Sequence, residues 1–244
     1  MLQPVEQESR IAADGIGSSL FKQLTTICLA ALIAVPAIGA TPREALTRSA
    51  FQTRDKETAL AQIGQAEAAA NAILVHTPEN GEAKLMQAMA IGYRAKLNRS
   101  RRDALAARKM FDALAASDVH NAEAQAAVGG WHIDAVSELG GFVAGAALGA
   151  RKAVGLAALD RSVALGRNRA MFPGLAALLR LSLNPRDSRA LGLAEAASRG
   201  TTPFELDRVM QRSAVAILVP LRAGDGRAAQ ILAKQLLPFG RISR

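Results

Sequence analysis

Cysteine is almost missing from this chain: Cys28 is the only one in 244 residues. A single cysteine closes no intramolecular disulfide. Because Cys28 falls in a segment expected to be removed, the remainder has no thiol nucleophile and no thiolate metal ligand. Aromatic residues make up 4%, with one Trp and one Tyr, and there are three His. Val, Ile, Thr and the aromatics, which favour strands, are scattered rather than clustered, so nothing suggests a sheet. No apolar run reaches the roughly 20 residues that cross a bilayer. Zinc-finger spacing and an aromatic-rich ribonucleoprotein strand are both missing, which removes the usual signals for nucleic acid.

Half of the residues are apolar, mostly Ala and Leu. Both are strong helix formers, and Ala lets helix backbones approach closely. The expected fold class is therefore all-α. The formal net charge is +9, carried mainly by Arg. Such a balance fits a solvated Arg-rich surface, and it also suits an acidic protein or an anionic membrane surface as partner.

Near the start, Lys22 precedes a mostly apolar run over 24–38 that is broken by Pro36 and followed by Ile38-Gly39-Ala40. This is the pattern of a secretory signal peptide, with cleavage after Ala40 and export to the periplasm as the consequences. Two features fit poorly. The stretch before the run is long, and it carries Glu6, Glu8 and Asp14 against Arg10 and Lys22. A start codon placed too far upstream or a retained membrane anchor would explain both. Residues 1–40 are thus read as a leader and 41–244 as the folded domain.

Beyond Thr41 the chain is punctuated by turn residues. Thr77-Pro78-Glu79-Asn80-Gly81, Asp118-Val119-His120-Asn121, Gly166-Arg167-Asn168-Arg169 and Gly200-Thr201-Thr202-Pro203 are the main breaks. Weaker ones fall at Asn98-Arg99-Ser100, Gly140-Gly141, Asn184-Pro185 and Gly224-Asp225-Gly226. Residues of these types cap and stop helices. The spacing predicts helices near 43–54, 56–76, 82–97, 101–117, 122–138, 148–165, 170–183, 186–199, 203–222 and 226–237. Pro173 and Pro203 are expected in first turns. Apolar stripes support the pattern, for example Ala104, Ala107, Phe111 and Leu114, and such stripes need a covering neighbour.

Several of these pieces resemble the tetratricopeptide repeat, two antiparallel helices in about 34 residues. Ala107-Arg108-Lys109-Met110-Phe111 matches the small-to-large step of the repeat's second helix, with Asp118-Val119-His120-Asn121 where its turn belongs. Ala66 with Ala70, Gly155 with Leu159, and Ala229 with Ala233 take the same two places in other units. Asn121-Ala122-Glu123-Ala124 followed by Val128-Gly129 fits the first helix. No unit carries the complete pattern, and starts near 82, 122, 170 and 203 leave only the last interval near the family length. The resemblance implies an antiparallel hairpin array, an α-solenoid, whose first helices line a concave groove. On that basis Leu85, Met89, Tyr93, Ala126 and Asp134 are groove positions, with Tyr93 an aromatic anchor. The competing reading makes Met89 and Tyr93 core residues.

Residues able to carry chemistry are few. His76 and His120 lie in or beside turns. His132 neighbours Asp134, Ser137 and Glu138, but residues two apart on a helix point to different faces. The position four after His132, where a second metal ligand belongs, is Val136. No catalytic residue, cofactor site or metal site is therefore assigned. Gly141, Gly145 and Gly149 are read as a flexible or closely packed connection, since the apolar part before Arg151-Lys152 is too short to span. The densest basic stretch is Arg94, Lys96, Arg99, Arg101, Arg102, Arg108 and Lys109, opposed by Asp103. Arg99, Arg101 and Arg102 are its candidate docking residues. The expected function is that of an exported scaffold or adaptor binding a protein or peptide in the cell envelope. The alternative is an all-helical enzyme, or an accessory subunit of an envelope enzyme complex.

Overall fold

Capping chemistry decides where most of the helices begin. The computed structural model describes residues 40–242, all within one compact unit, Gly39–Arg244. The apolar run over 24–38, and the signal peptide expected there, lie outside the described residues. Among the described residues the fold is all-α, with eleven helices and a single isolated extended bridge between Arg169 and Thr201. In chain order the helices are α1 (Pro42–Phe51), α2 (Lys56–His76), α3 (Gly81–Asn98), α4 (Arg101–Ser117), α5 (Ala122–Leu139), α6 (Gly141–Leu148), α7 (Lys152–Leu165), α8 (Met171–Leu183), α9 (Ala190–Ser198), α10 (Glu205–Arg222) and α11 (Gly226–Leu236). Thr41 and Glu44 form a reciprocal capping box at the start of α1. Asp55, Asn80, Ser100, Asn121 and Asp225 each accept a backbone N–H three residues on, at 2.7 to 3.2 Å. Each cap satisfies one of the donors a helix leaves orphaned at its first turn.

Several elements differ from the sequence expectation: α1 ends at Phe51 rather than 54, α7 starts at Lys152 rather than 148, and three further differences have local reasons. The helix expected from 186 starts only at Ala190, because Asn184 and Asp187 accept the N–H groups of Arg186 and Arg189 and hold two tight turns first. Such side-chain turns compete directly with helix. Pro203 stands two residues ahead of α10 rather than in its first turn, whereas Pro173 does sit in the first turn of α8. The stretch read as a glycine-rich connection contains the additional helix α6. It is closed by Gly149 in the left-handed region (φ 67°), with Ala150 N–H reaching back to Ala144 O at 3.1 Å. The Gly149 N–H also donates to Gly145 O at 2.9 Å, the 5→1 bond of an αL cap.

Each helix packs on the next in the chain, except that α6 barely touches α7, and α7 rather than α6 is the main partner of α5. A second set of contacts skips along the chain: α1 with α3, α3 with α5, α5 with α8, and α8 with α10. Helix α10 returns to α1, so this set closes on itself. The C-terminal segment completes the closure: the Phe239 N–H donates to Ala50 O, at the end of α1, at 2.8 Å.

The interior divides into two apolar clusters. One gathers Ile133, Leu159, Phe172, Leu178, Leu181, Met210 and Ile217 from α5 through α10, with Ala229 and Ala233 of α11. The other is rich in Ala and joins Leu46, Ile63, Leu85, Met86 and Phe111 of α1–α4 to Phe239 from the far end of the chain. The α5–α7 crossing depends on two glycines. A Cβ at Gly129 would lie 2.7 Å from Leu159 Cγ, and one at Gly155 would lie 2.7 Å from Ile133 Cδ1. This is the small-residue approach anticipated at Val128-Gly129.

Candidate functional site

The helices that close on themselves surround a central pocket of about 970 Å³. Its floor is apolar, from Met86 and Met89 on α3, Ala126 and Ala127 on α5, and Leu175 and Leu179 on α8. Leu206 and Met210 of α10 and Phe51 of α1 complete the wall. Phe239 and Ile242, from the C-terminal segment, reach into it from the side. A pocket of this size, mostly apolar with a few fixed charged groups, has the form of a binding site.

The groove positions implied by the repeat resemblance all line this pocket, in different ways. Leu85 and Ala126 are buried in its floor. Met89 is half-buried on the wall. The Tyr93 ring meets Phe239 edge-on, with centroids 5.0 Å apart, so part of the anticipated anchor is already covered by this chain's own C-terminal segment. Burial, reinforced by Asp134, pushes the Tyr93 phenol well above its ordinary pKa, so it stays neutral at physiological pH. Asp134 is ion-paired with Lys96, and Glu138 lies 4.0 Å from the same ammonium.

The basic stretch is not one surface. Arg94 pairs with Glu67 and Asp103, Lys96 with Asp134, and Arg108 with Asp112 in the next turn of α4. Arg108 also donates to Leu148 O at 2.9 Å and lies 5.4 Å from the Trp131 ring centroid. Arg99 and Arg101 stand at the pocket mouth, where Arg101 Nε donates to Ala147 O at 2.8 Å. Arg102 lies outside the pocket lining, and its side chain is almost fully exposed.

His132 is built into the framework. Its Nδ1 accepts the Arg151 N–H at 3.1 Å, and its ring meets Trp131 edge-on. Burial, with Arg108 and Arg151 adding to it, holds its pKa below the ordinary histidine value. An Nδ1 acceptor requires a ring unprotonated at that nitrogen, which agrees with this direction. Trp131 Nε1 donates to Ala104 O at 3.0 Å, which ties α5 to α4.

A charged network at the opposite wall was not anticipated. Arg43 Nε donates to Glu82 at 2.7 Å, and its Nη2 reaches Glu123 at 2.6 Å. Arg169 Nη1 donates to the other Glu123 oxygen at 2.7 Å, and its Nε to Asp207 at 3.2 Å. Asp207 is fully buried and also accepts from the N–H groups of Met171 and Phe204. The Phe204 ring lies 5.3 Å from the Arg43 guanidinium and 4.8 Å from that of Arg169. Burial works against the Glu123 charge, but hydrogen bonds from Arg43 and Arg169 outweigh it and hold the carboxyl below its ordinary pKa. This alternation of charges ties α1, α3, α5 and the starts of α8 and α10 together. Nothing in local sequence spacing marks it. The seating of Phe239 does have a local signal: Leu237-Pro238-Phe239 is an apolar stretch after α11 that needs a place to bury.

No family model, curated protein or solved structure matches this chain. Among the described residues no group of three or more His, Cys, Asp or Glu is arranged to hold a metal ion.

Proposed function

We propose that this chain is an exported helical-repeat binding module whose central pocket takes an apolar segment of a protein partner in the cell envelope. The observation that carries the reading is the pocket itself: an apolar floor drawn from α3, α5, α8 and α10, with Lys96, Asp134 and Arg101 at one end and Arg43 and Glu123 at the other. An apolar anchor flanked by charges suits an amphipathic segment, whose burial supplies affinity while charged groups fix its register. The resemblance of the hairpins to tetratricopeptide repeats supports the same choice. His132, around which a catalytic reading would be built, is engaged by the Arg151 backbone.

A second reading follows from the enclosure. Because α10 returns to α1 and Phe239 covers one side, the pocket also suits a single elongated apolar molecule such as a lipid chain. One experiment addresses both. A photo-crosslinking amino acid replaces Met89, and the protein is irradiated in the envelope fraction of its own cell. A defined cross-linked polypeptide, lost when Leu175→Glu is added, supports the first reading. A cross-linked lipid supports the second. Labelling that Leu175→Glu leaves unchanged removes the pocket from either.

A further inference from the structure

Helix α6 presents an apolar surface that the fold does not use. Phe142 is 89% exposed, and Leu139 and Val143 are also exposed beside it. Residues 153–165 do not share this exposure throughout, because α7 is anchored by the buried Gly155, Ala158, Leu159 and Ser162. No single described helix is long and apolar enough to cross a membrane. What remains is a short apolar wedge.

Basic residues gather at the C-terminal end of that wedge. Arg101 donates to Ala147 O and Arg108 to Leu148 O, so the first half of α4 abuts the C-terminal end of α6. Phe142 lies five residues earlier, about 8 Å along the helix at its ordinary rise. Arg151 and Lys152, at the start of α7, are both exposed. Arg99, Arg102 and Lys109 are exposed on the α4 side. Acidic groups at this corner are already engaged: Asp103 by Arg94 and Arg102, Asp112 by Arg108, while Glu138 lies near Lys96. The net surface is therefore apolar at the Phe142 end and cationic at the other.

We infer that α6 and the basic corner of α4 and α7 dock peripherally onto an anionic lipid surface, with Phe142 inserted among the acyl chains and Arg99, Arg102, Lys109 and Lys152 over the phosphates. Charge complementarity selects this occupant. An apolar tip alone would suit a neutral protein face, but a tip flanked by cations fits the headgroup–acyl boundary of an anionic leaflet. Leu139, Ala147 and Leu148 also line the pocket, so docking would set the pocket mouth against the membrane. The inference itself stands without any ligand in the pocket.

The test uses the full chain with unilamellar vesicles of pure phosphatidylcholine or of an equimolar mixture with phosphatidylglycerol. Phe142→Cys on a Cys28→Ser background carries an environment-sensitive fluorophore, and Gln65→Cys on α2 is the control position. The expected result is a blue shift at position 142 only, with the anionic vesicles only, that fades as salt rises. Arg102→Glu with Lys152→Glu lowers the vesicle affinity read from that shift by at least about tenfold, since each cation near such a surface is worth about fivefold. Circular dichroism confirms that the variants remain folded. An equal shift with neutral vesicles, an unchanged affinity in the charge-reversed variant, or a shift that follows self-association in the absence of vesicles would each overturn the inference.

Discussion

The two apolar clusters reach burial by different means. Between α5 and α10 the core is made of large side chains, and glycines let the backbones close around them. Leu178, Leu181, Met210 and Ile217 are completely buried, and a Cβ at Gly174 would lie 2.9 Å from Met210 Cβ. Between α1 and α4 the core is mostly Ala, and Ala59, Ala70, Ala88, Ala90 and Ala107 are completely buried. Small side chains bury little area each, so this half gains less from packing within itself. It is completed by residues from elsewhere, Phe239 in its core and the Arg43 network at its edge. The pocket lies where the two packings meet. Its wall draws on both, with Met86 and Met89 from one half and Leu175, Leu179 and Met210 from the other.

The largest effect should come from cutting the link between the halves. Asp207→Ala removes a buried carboxylate that accepts from Met171, Phe204 and Arg169. The Arg169 guanidinium then keeps Glu123 as its one carboxylate partner. We expect a loss of about 3–5 kcal/mol in chemical denaturation, in the range for a buried pair deprived of one partner. A loss below about 1 kcal/mol would mean that the network is not what joins the halves.

Phe239→Ala tests the dependence of the alanine-rich half on the chain's end. Truncating a buried Phe costs about 3–5 kcal/mol, and the lower part of that range suits a segment that follows the last helix. Hydrogen exchange locates the effect. Amides of α1 and α3 should exchange faster while those of α8 stay protected. Uniform loss across all helices would show that the two clusters behave as one cooperative unit.

Gly155→Ala probes the tight half. The added methyl would lie 2.7 Å from Ile133 Cδ1 and 2.9 Å from His132 Cβ, between two helices with no room to part. Overpacking of this kind costs about 1–3 kcal/mol, which thermal melts resolve.

The pH dependence should be smaller and asymmetric. Burial raises the Glu123 pKa while Arg43 and Arg169 lower it further, leaving it below the ordinary value of 4.5. A depressed folded pKa gives stability that is present above the unfolded value and lost as pH falls through the folded one. Stability should therefore decline on the acid side of about 4.5 and be insensitive to this group at neutral pH. In Glu123→Gln that part of the acid limb should flatten, measured as urea midpoints across the acid range.

The same contrast explains what the sequence discloses. Capping residues and turn signals are local, so Asp55, Asn80, Ser100, Asn121 and Asp225 mark helix starts without any tertiary information. Helix α6 is different. Its glycines argue against helix locally, and it is held by Arg101 and Arg108 from α4, which donate to its last carbonyls. The pocket positions on α3 and α5 follow from helical phase, which the repeat resemblance supplies. The closure of α10 onto α1, the seating of Phe239 and the pairing of Arg43 with Glu123 depend on how the helix pairs are angled. No residue spacing encodes that angle. Arg102 was grouped with Arg101 by adjacency alone, yet consecutive helix residues diverge by about 100°, and only Arg101 reaches the pocket.

The smallest prediction has the opposite sign and sharpens the contrast most. Gly64 lies in the middle of α2, exposed, and a Cβ built on it would meet nothing within 4 Å. In such a position glycine contributes only backbone freedom to the unfolded chain and no space to a neighbour. Gly64→Ala should stabilise by up to about 1 kcal/mol, the helix-propensity difference between the two residues. Gly155→Ala is the same chemical change in a helix of the other half, and should destabilise. The two sites are on helices that do not pack together, so a double variant should show the sum of the single effects to within about 0.5 kcal/mol. If Gly64→Ala also destabilised, propensity would not be what sets its effect. The contrast between an open and a closely packed glycine would then fail at the point where it is easiest to measure.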